Sequence, residues 1–173
     1  MMNILYDQDT EGCLQERVAM EQIVLIDGIL SAEIPAELKQ MPEIMKEMFY
    51  PYDKRPEMIL ADADGKNQMT FQRIDKKLRP EETRKAAEAV REYISSRHPR
   101  SELSPVHLYV AGQYPAGWFT MELEEPGEKQ EHTKAVLSVR NQMFLATATY
   151  PEQDGMKWEV LLKRFFHTLH ETT

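Results

Sequence analysis

Few residues in this chain have the types and spacings that chemistry needs. His167 and His170 stand three apart, which puts two imidazoles on one face of a helix, as a metal site would use. No neighbouring Cys and no acidic-His motif completes a tetrahedral set, and a helix C-terminus favours cations in any case. Asp62, Asp64 and Asn67 begin like a calcium loop, which needs Gly at its sixth position and Glu at its twelfth. Here Gly65 is fourth and Arg73 twelfth, so DADGKN (62–67) reads as a turn between strands. Glu122, Glu124, Glu125 and Glu128 crowd a stretch beside a turn, where solvation gives no cause for two carboxyl pKa values to separate. Cys13, the only cysteine, lies in a polar stretch with no base or oxyanion donor marked for it. There is no phosphate loop, dinucleotide fingerprint, G-x-S-x-G or H-E-x-x-H. We therefore expect no catalytic residue, no metal site and no cofactor.

The unusual count is methionine, with eleven. Met41, Met45, Met48 and Met58 gather around one segment, and Phe49, Tyr50 and Tyr52 flank the loop that follows it. Methionine fills irregular core gaps, and it also lines adaptable binding surfaces. Of all the surfaces of this chain, that one is the best candidate for partner binding, through Met41, Met45, Met48, Phe49, Tyr50 and Tyr52.

Charge narrows the partner. Asp and Glu number 29 against 21 Lys and Arg, a net charge of −8, and a field of that sign repels a nucleic-acid backbone. The basic cluster Arg73, Lys76, Lys77, Arg79, Arg84 and Lys85 is diluted by Asp75, Glu81 and Glu82 and reads as a solvated face, with an anion or acidic-partner site as the alternative. The first residues, MMNILYDQDTEG, have neither the basic nor the apolar part of a signal peptide. No run reaches the roughly 18 apolar residues that cross a bilayer. A lone thiol suits a reducing compartment. The expectation is a cytoplasmic protein with a protein partner, without nucleic acid or membrane, as a monomer or homodimer.

Several elements must position these residues. The 173 residues, 42% of them hydrophobic, suffice for one domain with a real core. Residues 1–14 lack periodicity and read as a loose arm or a short edge strand. Residues 16–26 and 30–34 read as strands around Asp27-Gly28. Residues 36–49 read as a helix that starts near Pro42, followed by the loop YPYDKRP (50–56). Strands follow at 58–61 and 69–74. The clearest helix spans 80–97, with Ala86, Val90, Tyr93, Ile94 and Arg97 as its inward stripe. Strands are then expected at 106–110, 118–123, 132–139 and 142–150, with turns at PGEK (126–129) and Arg140-Asn141. A second strong helix, about 153–169, carries Trp158, Leu161, Leu162, Phe165 and Leu169 at helical spacing. The sum is α+β: an α/β/α sandwich whose central, mainly antiparallel sheet has six to eight strands, with two or three helices.

Three stretches carry a resemblance. IPAEL (34–38) leads through a helix into YPYDKRPEMILADADGKNQMTF (50–71); Gly117-Trp118-Phe119 opens a strand; and a hairpin ends in ATATYPEQDGMKWEVLLKRF (146–165). Across roughly residues 22–169 this resembles the PsbP-like fold, which the Ran-binding Mog protein and bacterial DcrB-type proteins share. The resemblance implies the same sandwich and a non-catalytic adaptor. No specific motif carries the family's binding residues onto this chain. The function expected is thus a soluble, non-enzymatic protein-interaction module. A small acidic dimeric chaperone for a secreted effector is one alternative; a small-ligand-binding protein or enzyme is another.

Overall fold

The computed structural model describes residues 18–26, 28–123 and 127–172. Cys13, the arm at 1–14, Asp27, Glu124, Glu125 and Pro126 lie outside the described residues. Strands β1 (Met20–Leu25) and β2 (Leu30–Pro35) form an antiparallel hairpin through a turn in which Gly28 takes φ 74°. Then come β3 (Lys39–Gln40), helix α1 (Glu43–Phe49), β4 (Met58–Ala61) and β5 (Gln68–Lys77). A 3-10 turn at Pro80–Glu82 runs into α2 (Thr83–Arg97), followed by β6 (His107–Tyr109), β7 (Ala116–Leu123), β8 (Gln130–Val139) and β9 (Gln142–Pro151). Helix α3 (Gly155–Thr168) and β10 (His170–Glu171) finish the described chain.

The strands form two sheets. Seven lie in the order β3-β4-β5-β9-β8-β7-β6, every pair antiparallel. The other three, β1-β2-β10, form a small separate sheet, where the sequence suggested one sheet for all. Tight turns make the antiparallel neighbours. Arg140 and Asn141, between β8 and β9, both take positive φ (52° and 60°), as the two-residue hairpin turn that matches strand twist requires.

The pleat sorts side chains onto two faces. On one, Met69, Phe71, Trp118, Ala135, Leu137, Phe144, Ala146, Ala148 and Tyr150 join Trp158, Leu161, Leu162, Phe165 and Phe166 of α3, with Leu30, Ala32 and Ile34 of β2, in the main core. On the other face, α2 packs Ala87 on Val136 and Met143, while Met41 covers Ile59 and Ala61 beside α1. The fold is an α+β sandwich of three layers: α1 with α2, the seven-stranded sheet, and α3 with the small sheet.

The helix expected to start near Pro42 does so, as Glu43–Phe49 with Pro42 at its N-cap, and residues 39–40 before it pair with β4. Two local expectations are corrected. The inward stripe of α2 holds at Ala86 and Val90, which pack on the core, but it centres on the buried Thr83 and Ala87, and Tyr93 is exposed with the Arg97 guanidinium 5.0 Å above its ring. The cause is the close approach to Gly117, where a Cβ would stand 2.8 Å from Ala87 Cβ, so only small side chains fit the contact. Met58 belongs to the opposite face of β4 and packs on the main core, away from the other methionines of its group.

Candidate functional site

Helices α1 and α2 cover the two ends of one sheet face and leave its middle open. The register shows what is left uncovered. One row across the sheet reads Phe119, Lys134, Thr147, Thr70, Ile59. The next reads Met121, His132, Thr149, Gln68, Ala61. Each row is apolar and buried at its ends and polar in between. The polar stretch floors a groove of about 450 Å3.

One wall of the groove is the loop after α1. Tyr50 donates its hydroxyl hydrogen to Gln68 Oε1 (2.7 Å), and Gln68 in turn donates to the Gly65 carbonyl (2.8 Å). Burial, with Tyr52 adding to it, pushes the Tyr50 phenol up to about 12, so it stays a neutral donor. Tyr52 meets Tyr50 edge-on with centroids 6.1 Å apart. Arg55 donates to the Tyr50 carbonyl (2.9 Å) and pairs with Glu43, which ties the loop back to α1. Phe49 lies over Gly65, where φ is 76° and a Cβ would stand 2.7 Å from the ring. The 62–67 turn is itself closed: Asn67 donates from its backbone and side chain to the two Asp62 carboxylate oxygens (3.2 and 2.7 Å), as the turn reading expected.

The floor holds the unusual chemistry. Lys134 is mostly withdrawn from solvent and forms no ion pair among the described residues. Its ammonium donates to Thr147 Oγ1 at 3.4 Å. Burial lowers its pKa, since an ammonium without an anion pays for lost hydration. His132 beside it is pushed down to about 3, by burial first and then by the Lys134 and His98 charges, so it is neutral at physiological pH. Its Nδ1 is buried with no hydrogen-bond partner among the described residues. Among the described residues the lining contains no carboxylate and no thiol.

A depressed histidine pKa has a stability consequence. Below about pH 6.5 the unfolded chain takes up a proton that folded His132 refuses, so stability falls as pH drops from there toward 3. The slope is at most about 1.4 kcal/mol per pH unit. The stability of His132→Gln relative to the parent should therefore rise by up to about 2.5 kcal/mol between pH 6 and pH 4. Parallel pH profiles in urea denaturation would contradict this.

The sequence-derived candidates separate in space. Phe49, Tyr50 and Tyr52 line the groove. Met48 stands exposed on α1, and Met41 and Met45 lie beneath α1 against Ile59 and Ala61. His132, Lys134, Thr147 and Thr70 were missed. The available signal was a lysine and a histidine on the same phase of a strand as the apolar Val136. Elsewhere, Arg73 is bound to Glu57 and Arg79 to Glu82, so the basic cluster is partly neutralised. His167 Nδ1 meets the Tyr109 hydroxyl (3.0 Å), while His170 leaves the helix for β10. A second cavity of about 230 Å3 beside α3 contains Glu131, Thr133 and Tyr150, which hydrogen-bond one another through the Tyr150 hydroxyl.

No protein-family model matches the chain, and no curated protein matches it. Solved structures do. Cyanobacterial PsbP (CyanoP) from Synechocystis superposes with a TM-score of 0.61 at 5% identity, over 90% of this chain and 94% of that one. A mutant of the protein Mog1 gives 0.57 at 8% identity, over 87% and 95%. A protein of Bacteroides thetaiotaomicron gives 0.56 at 12% identity, and this chain, matched over 88% of its length, spans about half (48%) of that one. At these identities the likeness is one of fold: the chain has the PsbP-like fold. No helix among the described residues is long and apolar enough to cross a membrane.

Proposed function

We propose that this chain is a non-catalytic protein-binding module and that the groove between α1 and α2 is its binding seat. The observation that carries this reading is the pairing of a polar groove with an exposed apolar rim. Ile44, Met48, Phe49 and Tyr52 are 74%, 72%, 42% and 54% exposed along α1 and its following loop. Grouped exposed apolar side chains beside a groove mark a contact surface more often than scattered ones do. Among the described residues the lining also has no carboxylate and no thiol. The PsbP-like fold agrees with a binding role but does not by itself argue for one. The compartment we propose is the cytoplasm, and the partner a protein.

A photo-crosslinking side chain placed at Tyr52, and as a control at Val24 on β1, tests the reading in lysate of the source cell. We expect one protein, near stoichiometric, crosslinked from position 52 and not from position 24, and lost when Met48→Glu is added. Crosslinking that is equal at both positions, or a copurifying small molecule in the groove with no protein, would reject it.

A further inference from the structure

Among the described residues no carboxylate pairs with the Lys134 ammonium. It lies on the groove floor, and its hydrogen-bond partner among those residues is Thr147. A withdrawn lysine normally carries a carboxylate partner, because the lost hydration must be offset. The other ion pairs of this chain show that partners abound: Lys39 has Glu21, Lys66 has Glu128, Lys163 has Glu159. Lys134 sits in a chain of net charge −8 and yet has none among the described residues. Next to it His132 also lines the groove, and its Nδ1 is buried with no hydrogen-bond partner among the described residues. A lysine held by one long hydrogen bond, beside a histidine nitrogen with none, points to a ligand in the groove that completes their bonding.

We propose that the groove seats an acidic segment of the protein partner, with one Asp or Glu carboxylate bound between Lys134 and His132 and flanked by the hydroxyls of Thr70, Thr147 and Thr149. This deepens, and rests on, the protein-binding reading above. The charge count selects the ligand. One ammonium beside a neutral imidazole balances a single negative charge. A phosphate dianion would retain a buried excess charge in a protein that is already acidic. The size selects the source. A lone acetate or similar small anion fills a minor part of about 450 Å3, whereas a few residues of extended chain fill it and reach the rim at Tyr52. The rim then supplies apolar contact, and the lysine supplies selection, because a neutral side chain in the same place leaves the ammonium uncompensated.

The test uses the full chain and two libraries of capped seven-residue peptides, identical except that the central residue is Asp or Glu in one and Asn or Gln in the other. The parent is expected to enrich the acidic library by about 10- to 100-fold, the range a hydrogen-bonded charge supplies. Lys134→Met should abolish that preference, and Lys134→Arg should keep part of it. Lys134→Met replaces a withdrawn charge by an apolar chain of similar length, so it should fold with an unchanged or raised Tm. In parallel, acetate and inorganic phosphate are titrated while the NMR signals of Lys134 are followed. Equal enrichment of both libraries, or an acidic preference that survives Lys134→Met, overturns the carboxylate seat. Peptides lost on Tyr52→Ala but unaffected by Lys134→Met overturn it too, while leaving the protein-binding reading in place. Perturbation of Lys134 by acetate or phosphate with no peptide selected replaces the acidic segment by a small anion. No binding of any probe, together with no crosslink from position 52, rejects both readings.

Discussion

A chain ended at residue 151 is expected to remain unfolded. The segment it would lose carries Trp158, Leu161, Leu162, Phe165, Phe166 and Leu169, each 4% exposed or less. They form the layer opposite α1 and α2 and face Phe71, Trp118, Phe144 and Tyr150. Each such side chain contributes about 1.5–3 kcal/mol through burial. Together that is about 9–18 kcal/mol, as large as the roughly 5–15 kcal/mol of net stability that a domain of this kind has. The loss also strips β2 of β10 and of the Thr168 hydroxyl that accepts from the Glu33 backbone N–H at 3.0 Å. Circular dichroism and amide exchange on the fragment are the measurement. A cooperative melt, or protected amides in β8 and β9, would show that α3 is dispensable.

Within that helix Trp158 should matter most. It is 1% exposed and stacks on Tyr150 with centroids 5.3 Å apart and planes within 11°. Its indole N–H donates to Asn67 Oδ1 (3.0 Å), which links α3 to the same 62–67 turn that supports Phe49 at the groove rim. Trp158→Ala is expected to cost about 3–5 kcal/mol, since the cavity it opens is walled by β-strands that cannot collapse into it. Trp158→Phe keeps an aromatic ring and removes the hydrogen bond, for a cost of about 1–2 kcal/mol. Urea denaturation with unchanged slope separates the two. A Trp158→Ala variant within about 1 kcal/mol of the parent would mean that the site repacks.

The order of elements was legible because each strand and long helix carries its own period. Trp158, Leu161, Leu162, Phe165 and Leu169 announced α3, and Arg140-Asn141 announced the β8–β9 hairpin. What failed was whatever depends on a distant neighbour. Strands β3 and β10 are two residues each and exist only through pairing with β4 and β2. Tyr93 suited an inward stripe until Gly117 set how closely α2 could approach. The aromatic rim was found from composition, whereas Lys134 and His132 were not. In sequence they are ordinary polar residues of a strand, and only the register that aligns them with Thr147, Thr149 and Gln68 between two helices makes them a site.

The closure of the β1–β2 hairpin by α3 and β10 also bears on time. Glu33 and Thr168 are 135 residues apart in sequence, and the chain between them makes the entire seven-stranded sheet. Contacts of such separation lower folding rates, because loop-closure entropy is spent before the contact forms. On a ribosome adding about 5–20 residues per second, Glu33 would wait roughly 7–27 s for Thr168 to be made. During that interval Leu30, Ala32 and Ile34 of β2 have no α3 to pack against. The apolar hairpin is then an early-synthesised surface completed by late-synthesised residues, the kind of segment that holding chaperones engage on nascent chains.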